Sequence, residues 1–249
     1  MQNPFVPDVG GVLSGDIAVP EHERELSFYT RILTTGSSPL WREDLSNNHG
    51  TPVIGLAKRT PEYETLPLQW MPHIQVRDVA ASAARALELG GTEIMHSKDG
   101  NGQSQWAVFV DPVGTAFGLV PVVGDEYAAP DEPESVGRIA SLTLVVPDVA
   151  STCAFYEAVI GWSKGPADAG GEFELRRADG MASATVCPAG GAHAGVPPVW
   201  ILGLPVGDLE TSLRLVRENG GEVVSGSAGS GHAVIKDPVG VFVGLEANR

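Results

Sequence analysis

The stretch IASLTLVVPDVASTCAFYEAVIG, Ile139 to Gly161, changes its period part-way along. Ile139 to Val146 is apolar and β-branched, as a strand should be. Pro147-Asp148 then opens a segment in which Val149, Cys153, Tyr156 and Ile160 share one helix face, and Gly161 ends it. The same opening occurs earlier: Val19-Pro20-Glu21 followed by Phe28-Tyr29 returns as Val146-Pro147-Asp148 followed by Phe155-Tyr156, at an offset of 127 residues. Asp111-Pro112-Val113-Gly114 returns as Asp237-Pro238-Val239-Gly240 and Gly118-Leu119 as Gly244-Leu245, both at an offset of 126. The chain is a tandem duplication.

Each half divides again. Val76-Arg77-Asp78-Val79 resembles Val146-Pro147-Asp148-Val149, and Trp70 and Asp78 match Trp200 and Asp208 at an offset of 130. Four modules follow, roughly residues 10–60, 68–122, 137–190 and 197–249. In the second, a strand over His73 to Val76 leads to a helix from Asp78 through Leu89, a Gly90-Gly91 stop, and strands around Thr92 to His96, Gln105 to Val110 and Thr115 to Pro121. That is βαβββ, with Asp-Pro-Val-Gly turning between the last two strands. Residues 1–122 and 137–249 make two domains of two modules each. The acidic, proline-bearing stretch 123–136 between them reads as a linker.

Composition narrows the partners. Among 249 residues, 31 acidic side chains against 16 basic ones give a net charge of −15, with no Lys/Arg cluster to bind a phosphate backbone or an anionic lipid surface. No apolar run approaches the roughly 18–20 residues of a membrane span, and Met1 to Gly15 has neither a basic leader nor an apolar signal core. The expectation is a cytoplasmic protein, monomer or homodimer, whose partner is a small-molecule substrate or drug and neither nucleic acid nor membrane. Cys153 and Cys187 cannot make a disulfide framework and read as buried neutral thiols. The glycine-rich stretches 190–195 and 226–231 lack phosphate-loop spacing.

The strand-Val-x-Asp-helix opening, the Phe-Tyr pair on the first helix and the Asp-Pro-x-Gly turn before a closing strand resemble the vicinal oxygen chelate superfamily. That group includes glyoxalase I, bleomycin-resistance proteins and extradiol dioxygenases. The likeness covers nearly the whole chain and looks most like two-domain actinobacterial members of glyoxalase-like or hydroxylase-like type. It implies an α+β fold: four βαβββ modules paired into two cup-shaped mixed sheets with helices on the outside. It also implies where a metal would sit, on the first and last strands of each module. Counting places Ser14, Met71, Ser141 and Ile201 at the first-strand positions and Gly118 and Gly244 at the last-strand ones. None is a usual ligand for a divalent ion, so no metal and no cofactor is expected.

Strand alternation then selects the cup linings, because residues two and four beyond an inward position also point inward. The first cup receives Ser14, Asp16 and Ala18 with Met71, His73 and Gln75. The second receives Ser141, Thr143 and Val145 with Ile201, Gly203 and Pro205, and Glu246 on its closing strand. Asp16 and His73 hold equivalent positions in paired modules and make a candidate catalytic dyad, the carboxylate raising the basicity of the imidazole. Ser14, Trp41, Gln75, Trp106, Thr143 and Glu246 are candidate ligand-binding residues, the two tryptophans as an aromatic wall. Glu172, Glu174 and Arg176 alternate with Phe173 and Leu175 and read as a solvated strand edge.

Three functions compete. One is a metal-independent isomerase, lyase or hydroxylase-like tailoring enzyme acting on a small organic molecule. Another is sequestration of a drug or metabolite, for which the negative charge would favour neutral or cationic compounds. The third is a divalent-metal lyase or dioxygenase with unusual ligands, Asp16, His73 and Glu246, if modules pair across the halves.

Overall fold

A computed structural model of the chain describes residues 6–124, 137–191 and 193–248. The stretch read as a linker lies almost wholly outside them. The first half runs β1 (Val12–Val19), α1 (His22–Leu33), β2 (Ile54–Lys58), β3 (Met71–Val76), α2 (Val79–Glu88), β4 (Thr92–Lys98), β5 (Ser104–Val110) and β6 (Ala116–Pro121). The second runs β7 (Ser141–Val146), α3 (Val149–Ile160), β8 (Ser163–Ala167), β9 (Phe173–Arg176), β10 (Ala182–Pro188), β11 (Val199–Val206), α4 (Leu209–Glu218), β12 (Glu222–Ser227), β13 (His232–Lys236) and β14 (Phe242–Ala247). The fold is α+β with two mixed sheets. The first is ordered β2-β1-β3-β6-β5-β4, the second β12-β13-β14-β11-β7-β10-β9-β8.

The sequence signals have local causes. Asp78, Asp148 and Asp208 cap α2, α3 and α4 by accepting hydrogen bonds from the free amides of the first turn. Those amides hold the Asp148 and Asp208 carboxyls below the usual carboxylate range. Glu21, in the same place before α1, makes no such cap.

The first module departs from the expected βαβββ. Between α1 and β2 the described chain forms only isolated bridges, Trp41 to Asn47 and Ser46 to Pro52. Residues 34–53 hold Pro39, Pro52, Gly36, Gly50 and two polar pairs, Ser37-Ser38 and Asn47-Asn48, with no apolar alternation to pay for a ladder. Instead they reach into the second half. The Thr35 hydroxyl donates to the Asp208 carbonyl at 3.0 Å and the Trp41 indole to the Pro205 carbonyl at 2.7 Å.

The helices lie outside both cups, and the two outer sheet faces turn toward each other. One apolar core therefore spans the halves, taking in Phe28, Tyr29, Ile74, Phe117, Phe155, Tyr156 and Leu202, all 5% exposed or less. Helix α1 packs on α4, and α2 on α3. Where β1 meets β11 there is no room for a side chain, since a Cβ on Gly15 would stand 2.0 Å from Leu202 Cδ2. Smaller apolar clusters line the inner faces, around Met71 and Val108 in the first cup and around Ile201 and Val234 in the second.

Two matching hydrogen-bond clasps join the halves through the repeated motifs. Tyr29 donates to Asp237 at 2.8 Å and receives the Trp70 indole N–H at 3.2 Å. Tyr156 donates to Asp111 at 3.1 Å and receives the Trp200 indole N–H at 3.2 Å. Each Asp also ties its own turn, Asp111 to the amides of Val113 and Thr115, and Asp237 to those of Val239 and Val241. Burial, reinforced by the neighbouring carboxylate, holds both tyrosines well above the usual phenol range, so they stay donors. The clasps differ beside their carboxyls, where the Thr115 hydroxyl donates to Asp111 and Val241 offers Asp237 no such donor. Glu25, fully buried beside Asp237, is pushed up to about 8 by burial and by that carboxyl, whereas Thr152 stands at the matching position near Asp111. Among the described residues no helix is long and apolar enough to cross a membrane.

Candidate functional site

The first cup contains a cavity of about 500 Å³. Tyr63, Leu66, Met71, Met95, Trp106 and Val108 give it apolar walls, and Ser14, Asp16 and His73 form its polar floor. The floor follows from register: antiparallel pairing of β1 with β3 sets Ser14 opposite His73 and Asp16 opposite Met71. His73 Nδ1 stands 2.5 Å from Asp16 Oδ2, and Ser14 Oγ lies 3.1 Å from the same nitrogen. Such a contact favours the Nδ1–H tautomer and leaves Nε2 as the basic atom. Nε2 makes no hydrogen bond among the described residues. The His73 and Asp16 side chains keep 19% and 37% of their exposure, enough to meet a ligand.

Glycines make room for this pair. A Cβ on Gly118 would stand 1.8 Å from His73 Cδ2 and 2.6 Å from Nε2, and one on Gly55 would stand 1.9 Å from Asp16 Oδ1. The imidazole thus occupies the space above β6 that any side chain at 118 would need.

The second cup holds a smaller cavity of about 260 Å³ with a more polar lining that includes Ser141, Thr143, Glu172, Cys187, His232 and Glu246. The Ser141 hydroxyl donates to the Glu246 carboxylate across the floor. The two extra strands of this sheet accompany the smaller space. In the first cup β2 is an edge, and the segment carrying Tyr63 and Leu66 supplies the missing wall.

Ser14, Asp16, His73 and Trp106 therefore converge on the first cavity, and Thr143 and Glu246 on the second. Two expected ligand-binding positions are elsewhere. Trp41 is 1% exposed, and its indole is tied between the halves. Gln75 is also 1% exposed: it donates to the Val6 and Gly11 carbonyls and accepts the Val123 amide, pinning the strand ends. Glu246 lies in the other cup from Asp16 and His73, so that trio is not assembled. Glu172 belongs to the second cavity and not to a solvated edge. Its neighbour Cys187 is a buried thiol, as expected, pushed up by burial and by Glu172. His193, on the loop after β10, completes a group with these two that strand periodicity could not reveal, because the three residues come from separate elements.

A glyoxalase-like domain matches residues 15–120, the six-stranded half. The fold is also that of solved structures from related chemistries. The Mn(II)-bound glyoxalase from Novosphingobium aromaticivorans aligns over 96% of this chain and 82% of its own, with a TM-score of 0.58 at 17% identity. An extradiol ring-cleaving dioxygenase from B. fuscum aligns over 97% and 72%, with a TM-score of 0.57 at 15% identity. The whole chain thus shares its fold with glyoxalases and extradiol dioxygenases, and its first half carries a glyoxalase-like domain. Among curated proteins, the anthracycline biosynthesis protein DauV from Streptomyces sp. (strain C5) is 29% identical over 64% of this chain and 57% of its own length. CFP32 of Mycobacterium bovis, which carries a glyoxylase name, is 32% identical over 43% of this chain and 44% of its own. The chain spans about half the length of these curated relatives.

The strand positions that the vicinal oxygen chelate resemblance assigns to a metal carry Ser14, Met71 and Gly118 in one cup and Ser141, Ile201 and Gly244 in the other. A hydroxyl, a thioether and a bare glycine in the first cup, and a hydroxyl, an alkyl group and a glycine in the second, do not fit a divalent ion. In the first cup the His73 ring also fills the place of the last-strand ligand.

Proposed function

We propose that the first cup binds a small, largely apolar carbonyl-bearing or aromatic molecule and that His73, oriented by Asp16, removes a proton from it without a metal ion. The observation that carries this reading is the 2.5 Å Nδ1–Oδ2 contact on the floor of an otherwise apolar cavity of about 500 Å³. A carbon acid whose C–H meets His73 Nε2 would lose its proton to the ring, and Asp16 would stabilise the imidazolium that forms. Ser14 positions the pair. Trp106, 38% exposed, offers a face on which a planar ring can stack. Similarity to an anthracycline biosynthesis protein supports a planar, carbonyl-rich class of compound.

The test begins with compounds that raise the melting temperature. Incubated in D₂O, a true ligand should gain deuterium at the carbon next to its carbonyl with wild-type protein. It should gain none above background with His73→Ala, while binding persists. Exchange that survives His73→Ala and Asp16→Asn would remove the dyad from the chemistry. A ligand that binds tightly and never exchanges or converts supports the second reading, sequestration, which the apolar walls and the acidic surface favour.

A further inference from the structure

We propose that Glu172, Cys187 and His193 in the second cup form a binding site for one soft divalent transition-metal ion of the zinc class. Their ligand atoms, one carboxylate oxygen, one thiol sulfur and one ring nitrogen, all lie within 4.8 Å of one another. His193 Nε2 is 3.6 Å from Glu172 Oε1. Tetrahedral zinc, with bonds of about 2.0–2.3 Å, sets its ligand atoms roughly 3.3–3.7 Å apart, so small side-chain rotations bring this triangle to coordination size. Mixed sulfur, nitrogen and oxygen donors suit zinc, and hard cations such as magnesium or calcium would prefer oxygen alone.

The surroundings point the same way. His193 Nδ1 is buried without a hydrogen-bond partner among the described residues, so no protein acceptor there holds the ring in another role. Cys187 is 1% exposed, yet its thiol faces the Glu172 carboxylate, with Asp168 adding negative charge nearby. Two acidic groups against a buried thiol are a poor arrangement without a cation and a good one with it.

This place is not the superfamily's metal position. Cys187 lies on β10 opposite Val145, two residues past the Thr185 that pairs with Thr143. Glu172 precedes β9, and His193 follows β10 in the loop. The three residues leave a fourth coordination position toward the cavity lined by Ser141, Thr143 and Glu246, where water or an anionic ligand group can enter. The proposal is independent of the Asp16–His73 reading.

The test is titration of the whole chain with Zn(II) alone, by calorimetry and metal analysis, and with Co(II) as a spectroscopic stand-in. One equivalent should bind, and the cobalt form should show a thiolate charge-transfer band in the near ultraviolet. Cys187→Ser, close to isosteric, should abolish the band. Glu172→Gln and His193→Ala should each weaken zinc by about a hundredfold, the share of one ligand in a small zinc site. Asp16→Asn should change nothing. No stoichiometric binding would overturn the proposal. Binding that persists in both Cys187→Ser and His193→Ala, or that is lost in Asp16→Asn, would also overturn it.

Discussion

The two cups share repeated motifs and differ in opposite ways. The first has two fewer strands, an open apolar cavity of about 500 Å³, and an Asp-His pair on the floor. The second keeps eight strands around about 260 Å³ and lines it with a serine-glutamate pair and a Glu-Cys-His group. Equivalent positions thus carry different chemistry: Gly118 lies under an imidazole, while Gly244 meets only backbone and Ile201. Both halves use the same motifs to clasp one another, and their cup floors differ.

The largest expected effect is on turnover. Removing the proposed base with His73→Ala should lower conversion of a first-cup ligand by about 10²–10⁴-fold, measured in single-turnover assays, while Glu246→Gln in the second cup leaves it unchanged. Equal losses from both variants would erase the contrast. The glycines sharpen it further. Gly118→Ala places a methyl against His73 and should displace the ring, reducing turnover by about tenfold or more. Gly244→Ala, whose nearest contacts would be 3.3 Å away, should be close to silent in the same assay.

The clasps come next, through stability. Tyr29→Phe leaves Asp237 without its phenol donor and should cost about 1–3 kcal/mol, or roughly 3–10 °C in melting temperature for a chain of this size. Tyr156→Phe should cost less, because Thr115 Oγ1 still donates to Asp111 at 2.5 Å. The smallest effect separates the clasps by pH. Glu25 is held at about 8 in the fold against 4.5 ordinarily, so the folded state favours its proton. Its stabilising share is full below about pH 4.5 and is lost as pH rises through 8. Glu25→Gln should therefore raise the melting temperature by about 5 °C at pH 8 and by little at pH 4.5. A gain independent of pH would contradict the buried, protonated carboxyl.

Much of this was readable in the sequence. The repeated motifs point to the division into two sheets, and period-two alternation puts Ser14, Asp16, His73, Thr143 and Glu246 on inner faces without any coordinates. Alternation fails where local packing overrides it. Gln75 has the inward parity, yet it sits at the strand end where the segment before β1 crosses and needs its amide. Trp41 belongs to a segment too rich in proline and glycine to form strands, so it follows the second half and not the cup. The Phe-Tyr and Asp-Pro-x-Gly motifs read as helix and turn markers. Their longer reach, a tyrosine of one half bonded to the turn aspartate of the other, depends on how the halves face each other. Cys187 was legible as a buried thiol, but its company was not, because Glu172 and His193 come from flanking loops that periodicity does not govern.

The central claim is that the first cup is the working site, with His73 as its base. Nitrogen-15 NMR of the six histidine rings tests it most directly. Neutral His73 should carry its proton on Nδ1, Asp16→Asn should change this state, and a ligand that raises the melting temperature should shift His73 Nε2 while His193 and His232 stay unmoved. A proton on Nε2, or a ligand response confined to the second-cup rings, would contradict it.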